Sequence, residues 1–472
     1  MSNALQAAIA AHRFGLGEPD IGTIGGDARG WLLAQIGPAD PQRGRNLPDA
    51  ATALRRQIDF QRRFAQPPAA MAAQGMNPAT DNRPVEQQFV EHFRDHVQAD
   101  MRARLATAAS TQRPFAERLA LFWSNHFTVS IAKASARGMA GAFEREAIRP
   151  HIAGRFVDLL KASSTHASML RYLDNHISAG PNSRFVQRRA ARSADSDRGP
   201  RITGLNENLA REILELHTLG VSGGYAQADV TAFAAVLTGW RVAAGPMERV
   251  DSGNPTRFEP SWHEPGPKTV LGRTYREGAD ALPQLLDDLA RHPSTARFIA
   301  TKLARHFIAD DPPATLVDQL AGAFSRSDGD LPTVYRTLLD APSSWLPQQP
   351  KLKTPEEFVL SSARLLGLGE RVSARAPDAG LNGLGQRLQA APSPAGWPDQ
   401  AEEWLGPEAV WKRVEMASLL GDRLGRSIDA RALAPRSLGP LLTTATAQAL
   451  DRAADGPQAL TLLLLAPEFQ RR

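Results

Sequence analysis

Apolar residues recur at spacings of three and four over most of this 472-residue chain, and this is the period of an α-helix. Strand signals are sparse; the best is the stretch 268–275, with 257–259 as its expected pairing partner. We therefore predict a mainly α fold, a large multi-helix globular domain with a small β-hairpin insertion at about 255–276. The helical pattern is seen at Leu119, Phe122, Trp123 and Phe127. It is seen again at Phe233, Val236, Leu237 and Trp240.

Local signals place individual helices. Thr354, Pro355 and Glu357 combine an N-cap threonine, a first-turn proline and a capping-box glutamate, so a helix is expected over 355–367. The same reasoning predicts helices near 115–128, 138–150, 206–219, 226–240, 280–291, 294–309, 315–327, 330–341 and 407–424.

Composition shifts divide the chain. A helical region at 1–65 is followed by a Pro-, Ala- and Asn-rich stretch at 66–84, expected to be a flexible linker, and by a main helical domain at 85–472. Within it, 187–201 carries five arginines among Ser, Asp and Gly and is expected to be an exposed basic loop. One interpretation is that these arginines bind an anionic partner. The alternative is that the loop is only solvated.

The chain has no cysteine, which excludes disulfides, zinc–thiolate sites and cysteine nucleophiles. Any metal must then be held by histidine, carboxylate or amide groups. The net charge of +5 is mild for this length and does not predict specific nucleic-acid binding. Only 7 of the 55 cationic residues are lysine, so arginine is the expected partner of buried acids.

Residues 1–11 show no signal-peptide pattern, and no window approaches the length of an apolar membrane helix. The default expectation is a cytoplasmic protein without a membrane span. Absence of cysteine is also compatible with a periplasmic location reached by co-export with a partner.

Seven sequence blocks follow one another along the chain: Arg13–Gly17, Phe122–Phe127, Tyr172–Asn175, Gly204–Glu212, Glu215–Val221, His263–Lys268 and Pro392–Pro398. In this order they resemble the bacterial domain of unknown function (DUF) 1800 family. The resemblance covers the chain from about residue 10 to its C-terminal region. It implies no assigned activity. It does imply a partner, since members are often encoded beside a sulfatase-like protein that carries an export signal.

The helix predicted at 206–219 carries the strongest polar cluster. At 100° per residue, Asn208, Glu212 and Glu215 fall within about 60° of one another, with Arg211 at the edge of the strip. Carboxylates on so apolar a helix need a cation or a metal, because an unpaired buried charge is costly. Buried ion pairs with Arg145, Arg149 or Arg211 are the alternative to a metal or acid–base site.

His126 lies among aromatic residues in the Phe122–Phe127 block and is the histidine expected to join Glu212 and Glu215 at a divalent metal. Its alternative is a core histidine with satisfied nitrogens. In the enzyme hypothesis Glu212 and Glu215 act as ligands or general base, and His126 as ligand or proton carrier. Asn206, Asn208 and Arg211 bind substrate.

The turn from Trp262 to Thr269 offers a histidine, a carboxylate and a lysine. His263 is a candidate catalytic residue and Lys268 a candidate substrate-binding residue, since loops on rigid scaffolds often carry function. A stiff structural turn is the alternative.

These residues predict a metal-dependent hydrolase or oxidase with a polar pocket between helices. The competing hypothesis is a non-catalytic partner or maturation factor for the separately encoded sulfatase-like protein, with the same polar residues serving as structural pairs.

Overall fold

The computed structural model describes residues 1–65, 83–193, 204–243, 250, 255–348 and 350–472. The predicted mainly α fold is confirmed: the chain is 60% helical, with 22 α-helices in the described residues. The helices are α1 Asn3–Ile9, α2 Ala28–Leu33, α3 Ala50–Ala65, α4 Val85–His92, α5 Arg94–Ser110, α6 Pro114–His126, α7 Ala140–Phe143, α8 Phe156–Thr165, α9 Ala167–Tyr172, α10 Arg184–Ser193, α11 Asn208–Glu212, α12 Gln227–Leu237, α13 Ala281–Arg291, α14 Pro293–Phe307, α15 Ala314–Arg326, α16 Leu331–Asp340, α17 Pro355–Leu365, α18 Pro407–Leu424, α19 Ala430–Leu438, α20 Thr444–Asp451, α21 Gly456–Leu465 and α22 Pro467–Gln470.

Three helices continue into π-helical segments, in which each amide bonds to the carbonyl five residues back. These segments are Ala10–Phe14 after α1, Glu144–Ile148 after α7 and Ile213–Thr218 after α11. Short 3₁₀ helices lie at Ile21–Ile24, Ala134–Ala136, Asn175–Ile177, Pro342–Trp345, Gly369–Ser373, Ala401–Trp404 and Gly439–Leu441.

The β insertion contains two antiparallel strand pairs instead of one hairpin. Strand β1 (Trp240–Val242) pairs with β2 (Thr256–Phe258), and β3 (Lys268–Val270) pairs with β4 (Arg273–Tyr275). The expected pairing of 257–259 with 268–275 is therefore wrong. A two-residue turn explains this, since Leu271 and Gly272 both have positive φ, which is the geometry of a type I′ hairpin turn.

The segment expected to be an exposed basic loop, 187–201, begins as helix, because α10 extends to Ser193. Residues 194–201 lie outside the described residues. So does the predicted linker 66–84, apart from its last two positions.

Two apolar cores hold the described residues together. The larger takes side chains mainly from the first 341 residues, including the N-terminal region, where Phe14 stacks on Phe307 with 5.7 Å between ring centroids. The smaller takes most of its side chains from residues 358–469, joined by Leu16, Leu105 and Leu121. No helix in the described part of the chain is long and apolar enough to cross a membrane.

Buried arginine–carboxylate pairs join α5, α6 and the π segment after α7. Arg149 contacts Glu117 at 2.5 Å and Glu144 at 3.0 Å, and all three side chains are at most 3% exposed. Arg145 contacts Asp100 at 2.7 Å. The predicted role of arginine as the partner of buried acids holds here, but the acids are these and not Glu212 or Glu215.

Candidate active site

A cavity of about 360 Å³ lies where the two apolar cores meet. Helices α6 and α14, the start of α17 and the loop 395–400 form its walls. Its volume is in the range of small-molecule sites. The charged and histidine side chains that line it are Arg118, His126, Lys302, Arg305, His306, Glu356, Glu357 and Asp399.

Four of the blocks quoted from the sequence meet at this cavity. Leu16 comes from the first block, Asn125 and His126 from the second, Leu216 from the fifth and Trp397 from the last. The chain thus brings together segments up to about 380 residues apart, as tertiary packing of helices around one pocket allows.

The loop that closes the cavity is tied to α6 by a reciprocal pair of hydrogen bonds. The Asn125 side-chain amide donates to the Trp397 carbonyl at 2.8 Å, and the Trp397 amide donates to Asn125 Oδ1 at 2.8 Å. Gly396 between them has φ +85°, and a Cβ at this position would lie 2.4 Å from the Asn125 carbonyl oxygen. Only glycine fits this conformation and this close approach.

His306 and Asp399 form a hydrogen-bonded dyad in the cavity wall. Asp399 Oδ2 lies 2.9 Å from His306 Nδ1, so the Nδ1–H donates to the carboxylate. The other ring nitrogen, Nε2, then carries the lone pair, and it has no hydrogen-bond partner among the described residues. Burial lowers the pKa of His306 to about 4, although Asp399 opposes the shift, so the ring is neutral at pH 7. This is the tautomer and charge state of a general base.

The carboxylate of the dyad is itself held by cations. Arg472 contacts Asp399 at 3.3 Å, and Lys351 lies 3.6 Å from the same oxygen. Burial raises the pKa of Asp399, but His306, Arg472 and Lys351 reverse this and hold the pKa below its usual value. Asp399 therefore stays ionised and can stabilise a proton on His306.

Glu357 lies in the same network. It forms an ion pair with Arg118 and accepts from Arg472 at 2.9 Å. Burial raises the pKa of Glu357, but the two arginines outweigh burial and keep the pKa far below its usual range. Glu357 also closes the predicted capping box, accepting from the Thr354 amide at 2.9 Å, which fixes the start of α17 against the cavity.

Lys302 and Arg305 give the cavity its excess of positive charge. Neither has a carboxylate within ion-pair distance among the described residues; Arg305 donates to the Asp310 carbonyl at 3.1 Å. Lys302 stands one helical turn before His306, on the same face of α14. Burial lowers the pKa of Lys302 to about 8.

His126 is a buried side chain of the cavity wall. Its Nε2–H donates to the His217 carbonyl at 3.2 Å, and its Nδ1 has no partner among the described residues. Burial lowers its pKa well below the usual value. The predicted satisfied core histidine is therefore only half satisfied, and His126 adds a neutral acceptor near the cavity.

Glu212 and Glu215 lie outside this cavity. Glu212 is half-buried, and burial together with Glu215 raises its pKa. Glu215 accepts from the Tyr225 hydroxyl at 3.2 Å. The two carboxylates are thus close to each other, as the sequence predicts, but His126 contacts the backbone of the π segment instead.

His263 and Lys268 are brought together, as their shared turn suggests. Lys268 Nζ donates to His263 Nε2 at 3.0 Å and to the Glu264 carbonyl, while His263 Nδ1 donates to the Thr238 carbonyl at 2.7 Å. Both ring nitrogens of His263 are occupied by these contacts. These hydrogen bonds tie the turn to the end of α12, as the interpretation of this segment as a stiff structural turn predicts.

Asn206, Asn208 and Arg211 shape the start of α11. Asn206 Oδ1 accepts from the Asn208 amide at 2.9 Å, which is an Asx turn. Arg211 contacts Glu207 at 3.2 Å and Gln227 at 2.9 Å. None of these three residues lines the 360 Å³ cavity, so their substrate-binding role stays a prediction.

The described residues contain no group of three or more His, Asp and Glu side chains placed to hold a metal ion. Glu212, Glu215 and His126 do not form such a group.

Sequence reasoning missed the dyad. The sequence carries a weak signal for each partner. His306 shares one face of a predicted helix with Lys302, and Asp399 directly follows the block Pro392–Pro398. Their proximity depends on packing between α14 and a loop 93 residues away, which no local pattern reports.

No curated protein and no solved structure matched the chain. A family model described as a protein of unknown function (DUF1800) matches residues 9–471. The chain therefore belongs to the DUF1800 family.

Proposed function

We propose that this protein is a hydrolase in which His306, oriented by Asp399, acts as general base on a water molecule in the 360 Å³ cavity. The observation that carries the proposal is the neutral His306 ring, with Nδ1 bonded to a carboxylate and Nε2 buried without a hydrogen-bond partner among the described residues. Because Nε2 is buried, the side chains of the cavity wall must shift to admit the attacking water. A histidine so arranged accepts a proton at Nε2 while the carboxylate stabilises the resulting imidazolium.

The substrate is expected to carry a negative charge. Every carboxylate lining the cavity is paired with an arginine or lysine: Glu356 with Arg104, Glu357 with Arg118, and Asp399 with Arg472. Lys302 and Arg305 have no such pairing among the described residues, so the cavity retains cationic character. A carboxylate or phosphate group on the substrate would compensate them.

The proposed reaction is hydrolysis of an acyl bond. His306 Nε2 takes a proton from water as the water oxygen attacks the acyl carbon. The leaving group then departs with the proton returned by His306, so that base and acid are the same residue in successive steps. Asp399 keeps the ring in the productive tautomer throughout.

The test is hydrolysis of a panel of aryl esters that differ in whether the acyl group carries a carboxylate. His306→Gln should lower kcat by about 10²- to 10⁴-fold, the usual contribution of a general base. The variant should keep the melting temperature of the parent protein. His151→Gln, outside the cavity, is the matched control. Wild-type rates no higher than those of the variant across the whole panel would refute the proposal.

The metal site predicted at Glu212, Glu215 and His126 stays a prediction with its own test. Metal analysis of protein purified without an affinity tag, repeated on Glu212→Gln and His126→Ala, should show stoichiometric metal that the variants lose. A metal-free protein whose variants lose only stability would end this hypothesis.

The alternative role, a partner or maturation factor for a separately encoded sulfatase-like protein, also stays a prediction. Trp411 on α18 supports it, because this large apolar side chain is 60% exposed and its neighbour Val410 is 42% exposed. Co-purification of a stoichiometric protein partner with the parent chain, and its loss with Trp411→Ala, would favour this role over catalysis.

A further inference from the structure

A second cavity, of about 460 Å³, shares no lining residue with the first. It lies between α4, the first half of α5, residues 131–137 and the loop 377–390. Its wall contains both apolar and cationic side chains. The apolar side chains are Val90, Val97, Met101, Ile131, Leu388 and Ala390, and the cations are Arg94, Arg137 and Arg387.

Arg137 and Arg387 both line the cavity without a side-chain partner in the described part of the chain. Arg137 is only partly exposed, and neither guanidinium has an ion-pair or hydrogen-bond partner among the described residues. Burial and the nearby charge of Arg387 both lower the pKa of Arg137. Two like charges that face one cavity repel each other, and this costs free energy that a bound anion would recover.

The acidic residues around the cavity do not supply that anion. Asp378 lines it, but its two oxygens accept from the backbone amides of Gly380 at 3.2 Å and Asn382 at 3.1 Å. Glu91, on α4, pairs with Arg94. None of the described carboxylates therefore forms an ion pair with Arg137 or Arg387, and the single charge of Asp378 leaves the two arginines in excess.

The position of Arg137 is fixed by its backbone. Its amide donates to the Lys133 carbonyl at 3.0 Å, at the end of the 3₁₀ helix Ala134–Ala136. The next residue, Gly138, has φ +84°, and a Cβ there would lie 2.3 Å from the Phe93 ring. This close packing holds the chain against the start of α5 and leaves Arg137 at the cavity.

We propose that this cavity binds an amphipathic carboxylate, with the carboxylate held by Arg137 and Arg387 and the hydrocarbon part against Val97, Met101 and Ile131. Paired arginines suit a carboxylate because their planar donors meet both of its oxygens. The apolar wall supplies the hydrophobic part of the affinity. This site is independent of the proposed hydrolase activity, so either can fail without the other.

The test is calorimetric titration of the full chain with decanoate below its micellar concentration. Wild-type protein should bind one equivalent. Arg137→Met and Arg387→Met should each weaken binding about tenfold or more, since each removes charge-assisted hydrogen bonds. Arg452→Met, an exposed arginine far along the chain, is the matched control and should bind as wild type. Arg387 is exposed, so its variant is expected to fold even if Arg137→Met does not.

Three further ligands separate the contributions. Decanol, which lacks the charge, and acetate, which lacks the chain, should each bind at least tenfold more weakly than decanoate. Decyl phosphate tests the head group. Binding of decanol as tight as that of decanoate would overturn the proposal. So would decanoate affinity unchanged in both arginine variants, or binding of decyl phosphate without binding of decanoate.

Discussion

At the scale of single residues, burial decides what each ion pair contributes. Arg149 contacts Glu117 and Glu144 with all three side chains at most 3% exposed, whereas Arg297 contacts Asp318 at 2.6 Å with both more than 60% exposed. Removing one partner of a buried pair leaves an uncompensated charge in a medium of low polarity. When one partner of an exposed pair is removed, water solvates the other partner and the free energy of unfolding changes little.

Arg149→Met should therefore lower the free energy of unfolding by about 3–5 kcal/mol. Arg297→Met should leave it nearly unchanged. Urea titrations of both variants and the parent protein measure the difference. A loss in Arg149→Met no larger than that in Arg297→Met would show that the Glu117 and Glu144 carboxylates find other partners.

Lys302 permits a separate prediction about substrate binding. Lys302→Met removes an unpaired cation, so KM for an anionic ester should rise about tenfold while kcat changes little, the pattern of lost uniform binding. The pKa of Lys302 is about 8, so the wild-type KM should rise above that pH as the ammonium group loses its proton. Lys412→Met is the control, because Lys412 is a half-buried lysine on α18 that does not line the cavity. Equal effects on charged and uncharged esters would contradict the assignment.

At the scale of elements, the loop 392–398 positions Asp399 through its bonds to α6. Gly396→Ala should displace the loop for two reasons. The added methyl group would clash with the Asn125 carbonyl, and alanine is strained at the positive φ of this position. Gly224, with φ +88° and open space around it, isolates the effect of φ alone. We expect Gly396→Ala to lower both the melting temperature and the esterase rate more than Gly224→Ala does. Thermal melts and rate assays on both variants give the comparison, and equal losses would show that the contact with Asn125 does not matter.

Helices were the most predictable elements. The capping box at Thr354 and the start of α17 are confirmed, as are both ends of α18, because caps, prolines and apolar periodicity act within a few residues. The π segments were not predictable. Glu215 and His217 both lie within Ile213–Thr218, where the turn is wider, so face assignments at 100° per residue lose their register there.

At the scale of the whole molecule, neutral buried histidines make stability depend on pH. Burial lowers the pKa of His12, His176 and His217 to about 3 and that of His306 to about 4. Their pKa in the unfolded chain is about 6.5. Between these values the unfolded chain binds more protons than the folded one, so stability falls as the pH falls below about 6.5. Asp100, whose pKa burial raises to about 6, acts in the opposite sense, as do Glu18 and Glu212, whose pKa values burial also raises.

The free energy of unfolding should therefore fall by about 4 kcal/mol between pH 7 and pH 5.5, a large share of the stability of a typical domain. Urea titrations at half-unit steps of pH measure this. His176→Asn should reduce the slope of the unfolding free energy against pH by the amount that corresponds to about one bound proton. A flat profile over this range would show that these histidines are not held neutral in the folded protein.

Periodicity, caps and composition are local or additive signals, so the sequence was enough for the helical class, the approximate bounds of the ten helices predicted from it, the family and the absence of cysteine. It also identified the blocks around His126 and Trp397 that line the cavity. Which polar residues meet depends on tertiary packing: Asp399 meets His306, Arg149 meets Glu117, and His126 meets the backbone at His217 instead of Glu212. Ion pairs and hydrogen-bonded dyads join residues distant in the chain, and their approach depends on how helices pack and on where a π segment shifts their faces.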